Sequence, residues 1–149
     1  MKMKFVLAFT FLLLFPHNAF SAPKEWKVLS LPPIIEAMQE IKTIPAGWVV
    51  SQSADAIHLA GIIVYDGRPE DNASLVPDKV EKQKNMSESV TTWQFSSSSS
   101  DGIWISASYS ATSIVLSRAL PQNTSELRVT SNTNVTVAGM NEIIRVEYR

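Results

Sequence analysis

The sequence predicts an all-β protein, or a β-rich one with a single short helical turn, folded as an antiparallel sandwich or small barrel of roughly seven or eight strands. Three observations carry that expectation. Large apolar residues alternate with small polar ones in several short runs, the period of two that a half-buried strand requires. Turn-forming residues punctuate the runs, as at Asp66-Gly67, Asp101-Gly102, Pro121 and Asn132. No stretch downstream of the N-terminal leader sustains a helical period over the length of a long helix.

The chain has 149 residues, and its front reads as an export leader. Lys2 and Lys4 form a basic start, residues 5–15 are apolar apart from Thr10, and Pro16 precedes Ala19-Phe20-Ser21, a small-x-small cleavage pattern. The apolar run is well short of the roughly 20 residues that span a bilayer, which disfavours a membrane anchor. Residues 1–21 are therefore expected as a signal peptide and residues 22–149 as a single β-rich domain, periplasmic or secreted, with no membrane span after cleavage. Losing Lys2 and Lys4 leaves 11 basic against 14 acidic residues, a net charge of −3. No basic patch argues for nucleic acid. The chain has no cysteine, which removes disulfides, thiol catalysis and thiolate zinc sites, and neither a metal nor a cofactor is expected.

Trp26-Lys27-Val28-Leu29 leads to Pro32-Pro33, which stops any regular element. In the following run, positions 34, 35, 38 and 41 fit a helical stripe, while Ile35, Ala37 and Ile41 also share one strand face, so both states stay open. Trp48-Val49-Val50 opens a short strand after the break at Pro45-Ala46-Gly47. Residues 56–65 are apolar on both faces, as a central strand is, and Gly61 marks a bulge or a close approach. Asp66-Gly67 then turns the chain, Pro69-Glu70-Asp71 starts one helical turn, and Leu75 and Val76 tuck that turn back onto the sheet. Residues 78–89 have almost nothing to bury and are expected as a solvated loop. Alternation is clearest in residues 91–95 and 103–109, and the serine run between them, closed by Asp101-Gly102, predicts a hairpin. A third run at 113–120 follows so closely that it must return antiparallel, giving a three-stranded meander. Leu127 and Val129 mark a further strand, Asn132-Thr133-Asn134 a turn, and residues 135–137 and 143–148 complete the set.

The ordered set Pro45-Ala46-Gly47-Trp48, Tyr65-Asp66-Gly67 with Pro69 and Leu75, then Pro77, Trp93, Trp104, Tyr109 with Thr112, and Leu120-Pro121 resembles an uncharacterised family of small exported proteins from enteric and related bacteria. The resemblance spans most of the chain beyond the leader, and each motif in it is short. It implies an extended start for residues 34–41 and carries no catalytic residues. Members of that family have cysteines; where one pair would fall, this chain offers Ala107 and Leu127. Packing there has to recover roughly 2 to 4 kcal/mol of cross-link stabilisation.

Six residues stand out as candidate contact surface: Trp104, Tyr109, Asp66, Arg68, Glu70 and Asp71. Trp104 shares its strand face with Ser106 and Ser108, opposite Ile103, Ile105, Ala107 and Tyr109, so it either covers a second layer or meets a partner. The four charged residues make one dense loop, whose plainer reading is an Asp-Gly turn and a capped helical turn with Arg68 balancing the acids. Trp93 and Phe95 share one face and belong in the core. His58, the one histidine beyond the leader, has no second histidine or cysteine with which to build a metal or catalytic site. Neither a phosphate loop nor a nucleophile elbow occurs, and no residue is expected to be catalytic. The expected function is a non-enzymatic binding module of the periplasm whose partner is another envelope or secreted protein, as for an inhibitor or immunity factor. Two alternatives make different demands. A carboxylate-dependent hydrolase of envelope glycans needs Asp66 and Glu70 in one cleft. A structural subunit that donates a strand needs an unpaired terminal strand, near residues 26–29 or 143–148.

Overall fold

The structure is a computed structural model that describes residues 24–38, 40–51, 56–83, 87–96, 100–137 and 139–149. The expected leader, residues 1–21, lies outside the described residues. Among them nine strands follow in chain order: β1 (Lys27–Val28), β2 (Ile34–Ile35), β3 (Ile57–Asp66), β4 (Lys79–Lys82), β5 (Glu88–Gln94), β6 (Ile103–Tyr109), β7 (Val115–Ala119), β8 (Glu126–Val137) and β9 (Met140–Tyr148). A 3-10 turn at Pro69–Asp71 is the one helical element among the described residues, as the Pro and acidic residues there predict.

The strands form two antiparallel sheets, one in the order β1-β9-β8-β5-β4 and one in the order β2-β3-β6-β7. They face one another as open sheets and do not close into a barrel, so the sandwich alternative is the one realised. The core is where alternation from the two sheets meets. Val64, Ile103 and Ile105 come from the four-stranded sheet, Trp93, Leu127, Val129 and Val146 from the five-stranded one, and Leu29 and Leu120 close the ends. Each such side chain, fully buried, stabilises the fold by about 2 kcal/mol. A smaller cluster of Ile57, Ala107 and Tyr109 continues the core under β2.

Several elements differ from expectation. β5 does not pair with β6; it lies between β4 and β8, while β6 lies between β3 and β7. Period two in both runs says that each buries one face, and both do, but on opposite sheets. Only the second half of the meander, β6 with β7, is antiparallel as expected. Residues 79–82, placed in a solvated loop, are exposed yet pair with β5 as an edge strand, where charged residues suit the solvent. Asn132-Thr133-Asn134 does not turn the chain. β8 runs through it with its register to β9 shifting between Asn132 and Thr136, and the reversal comes at Gly139, whose φ is +82°. Trp48-Val49-Val50 is not a strand: it is irregular and exposed, Val49 at 93 %. Residues 34 and 35 alone of the ambiguous segment pair, with β3, so its start is extended. The terminal strands that strand donation would need are both paired, β1 with β9 and β9 with β8. Leu75 does tuck against the core, whereas Val76 is exposed.

Candidate functional site

One end of the four-stranded sheet gathers most of the candidate contact residues, and the β3–β6 register does it. Tyr65 lies opposite Trp104 and Asp66 opposite Ile103, so the loops that follow β3 and precede β6 emerge side by side. Gly67 donates its amide to the carbonyl of Gly102 at 2.8 Å, with φ of +99° and +74° at the two glycines. A side chain at either position would strain that backbone, which is what the two Asp-Gly pairs provide against. Beyond Gly67 the 3-10 turn ends on Asn72 in the left-handed region, whose amide donates to the Pro69 carbonyl at 3.1 Å and whose side-chain amide donates to the Glu70 carbonyl at 3.2 Å. Glu70 and Asp71 are exposed, and Asp66 is half-buried with its amide donating to Ala73 at 3.0 Å.

Arg68 does not balance Glu70 and Asp71. Its Nε lies 3.7 Å from an Asp101 carboxylate oxygen, a pair that ties the two loops together. Trp104 is half-buried on the outer face of the sheet between Tyr65 and Ala119, its cross-strand neighbours, and its indole N–H donates to the Asp101 carbonyl at 3.0 Å. The ring is therefore held in place while part of it faces solvent. Asp66, Arg68 and Trp104 thus lie at one end of the sheet, which also carries the exposed turn with Glu70 and Asp71.

Tyr109 does not belong to it. The odd positions of β6 point inward, and Tyr109, at the far end of the strand, is 4 % exposed with its hydroxyl donating to the Pro32 carbonyl at 2.9 Å. Burial pushes its phenol above the ordinary value. It is a core residue. His58, half-buried on β3, exchanges bonds with Ser110, its amide donating to Ser110 Oγ at 3.0 Å and its carbonyl accepting from the Ser110 amide at 2.8 Å. Among the described residues no three His, Asp or Glu side chains converge as a metal site.

The outer face of the five-stranded sheet holds a polar cluster that sequence reasoning missed. Arg149 and Glu126 exchange backbone bonds of 3.0 and 3.2 Å, which sets them side by side across β9 and β8. The buried carboxylate of Glu126 accepts from Arg128 Nε and Nη2 at 3.1 and 2.9 Å, and from Arg149 Nε at 2.8 Å and Nη2. Both guanidinium groups stack on Trp26, at 4.1 and 4.6 Å from the ring centre. Arg145 pairs with Glu147 at 3.3 Å and Lys79 with Glu81 at 2.8 Å along the same face, which forms a trough of ≈ 630 Å³. The signal was in Glu126-Leu127-Arg128 and Arg145-Val146-Glu147-Tyr148-Arg149, where charges of alternating sign sit on every second residue. The ion pairs satisfy most of these charges internally, so the trough reads as a stitched sheet face more than an open binding site.

Neither the curated proteins nor the solved structures contain a match to the chain. A family model does match, over residues 52–143, which run from just ahead of β3 into β9 and so carry Trp104 and the 66–72 loop. The chain belongs to the type VI secretion system Tli immunity protein family.

Proposed function

We propose that the chain is a periplasmic immunity protein that neutralises a type VI effector by binding it, with no catalysis of its own, through the surface formed by Trp104, Arg68, Glu70 and Asp71. The family match over residues 52–143 carries the reading. The export leader supports the compartment, and the geometry supports the surface: a tethered, half-buried aromatic at the sheet end that also carries two exposed carboxylates has the make-up of an interface anchor with a polar rim. Holding the ring through Asp101 in the unbound chain lowers the entropy lost on binding.

The test uses candidate type VI effectors, beginning with any encoded beside this chain. Exporting the chain to the periplasm of a cell that receives the effector should protect that cell, and titration calorimetry should give a tight one-to-one complex. Trp104→Ala should weaken it by about tenfold or more, the size of an interface anchor. Glu70→Lys with Asp71→Lys, on exposed positions that leave the fold alone, should slow association. A wild-type chain that neither binds nor protects would sink the proposal.

A further inference from the structure

Two sheets have four outermost strands, and three of these are short or charged. β1 and β2 are two residues long, and β4 is Lys79-Val80-Glu81-Lys82, three charges in four positions. Short length and charge are the usual means by which a sheet edge avoids an unwanted strand. β7 has neither. It is Val115-Leu116-Ser117-Arg118-Ala119, exposed at every residue, with Ile114, Val115 and Leu116 among the exposed large apolar side chains.

Its backbone is open as well as its side chains. Leu120 donates to the Ile103 carbonyl at 2.8 Å, which makes Ile105/Arg118 and Ala107/Leu116 the hydrogen-bonded pairs of the β6–β7 ladder. By alternation Val115, Ser117 and Ala119 turn their amides and carbonyls to the empty side, where among the described residues no strand pairs with them. Leu116 and Arg118 share the other face. Arg118 is exposed, and none of the ion pairs or side-chain hydrogen bonds among the described residues includes it, in contrast to Arg128, Arg145 and Arg149. The edge is also continuous with the contact surface, because Ala119 is the cross-strand neighbour of Trp104.

We infer that β7 accepts an extended segment of the effector as a fifth strand of this sheet. The inference rests on the immunity reading and adds how the partner is held. The incoming strand supplies main-chain bonds to Val115, Ser117 and Ala119. It places an apolar residue beside Leu116 and, two positions away on the same face, a carboxylate beside Arg118. The unpaired guanidinium selects an acidic strand over a second copy of β7, whose own Arg118 would bring like charge to the edge.

The test is amide exchange by NMR on the chain alone and with the type VI effector it binds, together with Arg118→Glu on β7 and Lys82→Glu on the guarded β4 edge. In the complex the amides of Val115, Ser117 and Ala119 should exchange at least tenfold more slowly than in the chain alone. Arg118→Glu should weaken binding tenfold or more, and Lys82→Glu should leave it near wild type. Val115→Pro, which removes an outward amide and no β6 bond, should weaken binding with little change in melting temperature. Wild-type binding that leaves the β7 amides unprotected and tolerates Arg118→Glu would overturn the inference and leave the immunity reading standing. No binding by the wild-type chain would overturn both. Protection of the same amides in the effector-free chain as its concentration rises would make the occupant a second copy and overturn the assignment to the effector.

Discussion

Tyr109 is where apolar packing and a polar tether meet in one side chain. Its ring fills the smaller core cluster, and its hydroxyl holds the Pro32 carbonyl at 2.9 Å, pinning the segment that leads into β2. Tyr109→Phe keeps the ring and leaves that carbonyl without its donor, so chemical denaturation should show a loss of about 1 kcal/mol. Burial raises the phenol above its ordinary value, with a definite sign for pH. As pH rises past the unfolded tyrosine value near 10, the unfolded chain loses this proton first, so stability present below that pH is lost as pH climbs through the folded value. The wild-type stability curve should bend down on the alkaline side more than that of Tyr109→Phe. Glu126 is a buried carboxylate held by two guanidinium groups. Glu126→Gln strands two like charges over Trp26 and should cost about 2 kcal/mol, kept below the figure for a fully buried pair because both arginines are part-exposed. A double-mutant cycle with Arg128→Gln should be non-additive, and additivity would show that the pair does not interact. Of these two sites Tyr109 is expected in the contact surface yet is buried, and the signal passed over is the strand face it shares with Ile105 and Ala107. The sequence hides the Glu126 cluster, because alternating charge along β8 and along β9 does not say which acid meets which base until the register joins them.

At the level of the strand, alternation marks which residues are buried but not which sheet receives them. Trp93 and Ile105 are both inward, as their runs predict, yet they face each other from opposite sheets. A short serine-rich connection is as compatible with a crossing between sheets as with a hairpin, and the missing information lies in β3, which pairs with β6 along the whole of that strand. Gly61 in β3 is the clearest point where the sequence alone reaches the element. Expected as a bulge or a close approach, it is both: the β3–β6 register shifts between Leu59 and Gly61, and a Cβ at Gly61 would meet Ser108 Oγ at 2.8 Å. The obstacle is the end of a small side chain, so Gly61→Ala should cost only about 0.5 to 1 kcal/mol as Ser108 moves off its rotamer. With Ser108→Ala the obstacle is gone, and alanine at 61 should then stabilise by about 0.5 kcal/mol through the lower entropy of the unfolded chain. The measurement is thermal denaturation of the four chains. Destabilisation by Gly61→Ala in both backgrounds would show that the constraint lies in the backbone.

Across the whole molecule, the part that defines the family and the part that holds the fold together do not coincide. The match spans residues 52–143, but Leu29, Val146 and Tyr148 lie outside it, and the first two are buried in the main core. So do Trp26 and Arg149, which close the Glu126 cluster over β8. With no cysteine anywhere in the chain, these contacts have no covalent substitute. Ala107 and Leu127, the positions where the resemblance places a cysteine pair, are both buried on inward faces, Leu127 at 0 % exposure. Leu127→Ala should therefore cost about 3 to 5 kcal/mol, the range for a large side chain removed from a core that collapses only in part. A fragment of residues 52–143 loses two buried aliphatic side chains, worth about 4 kcal/mol together, and also the β1 edge and half of β9. Against a typical net stability of about 5 to 15 kcal/mol, that leaves little once the exposed flank of β8 is counted. The fragment should show no cooperative thermal transition and should bind hydrophobic dye, whereas residues 22–149 should melt in one transition seen alike by far-UV circular dichroism and tryptophan fluorescence. A cooperative melt from the fragment would mean that the strands common to the family form a folding unit without their flanks, and that Trp26 and Arg149 brace a sheet already stable without them.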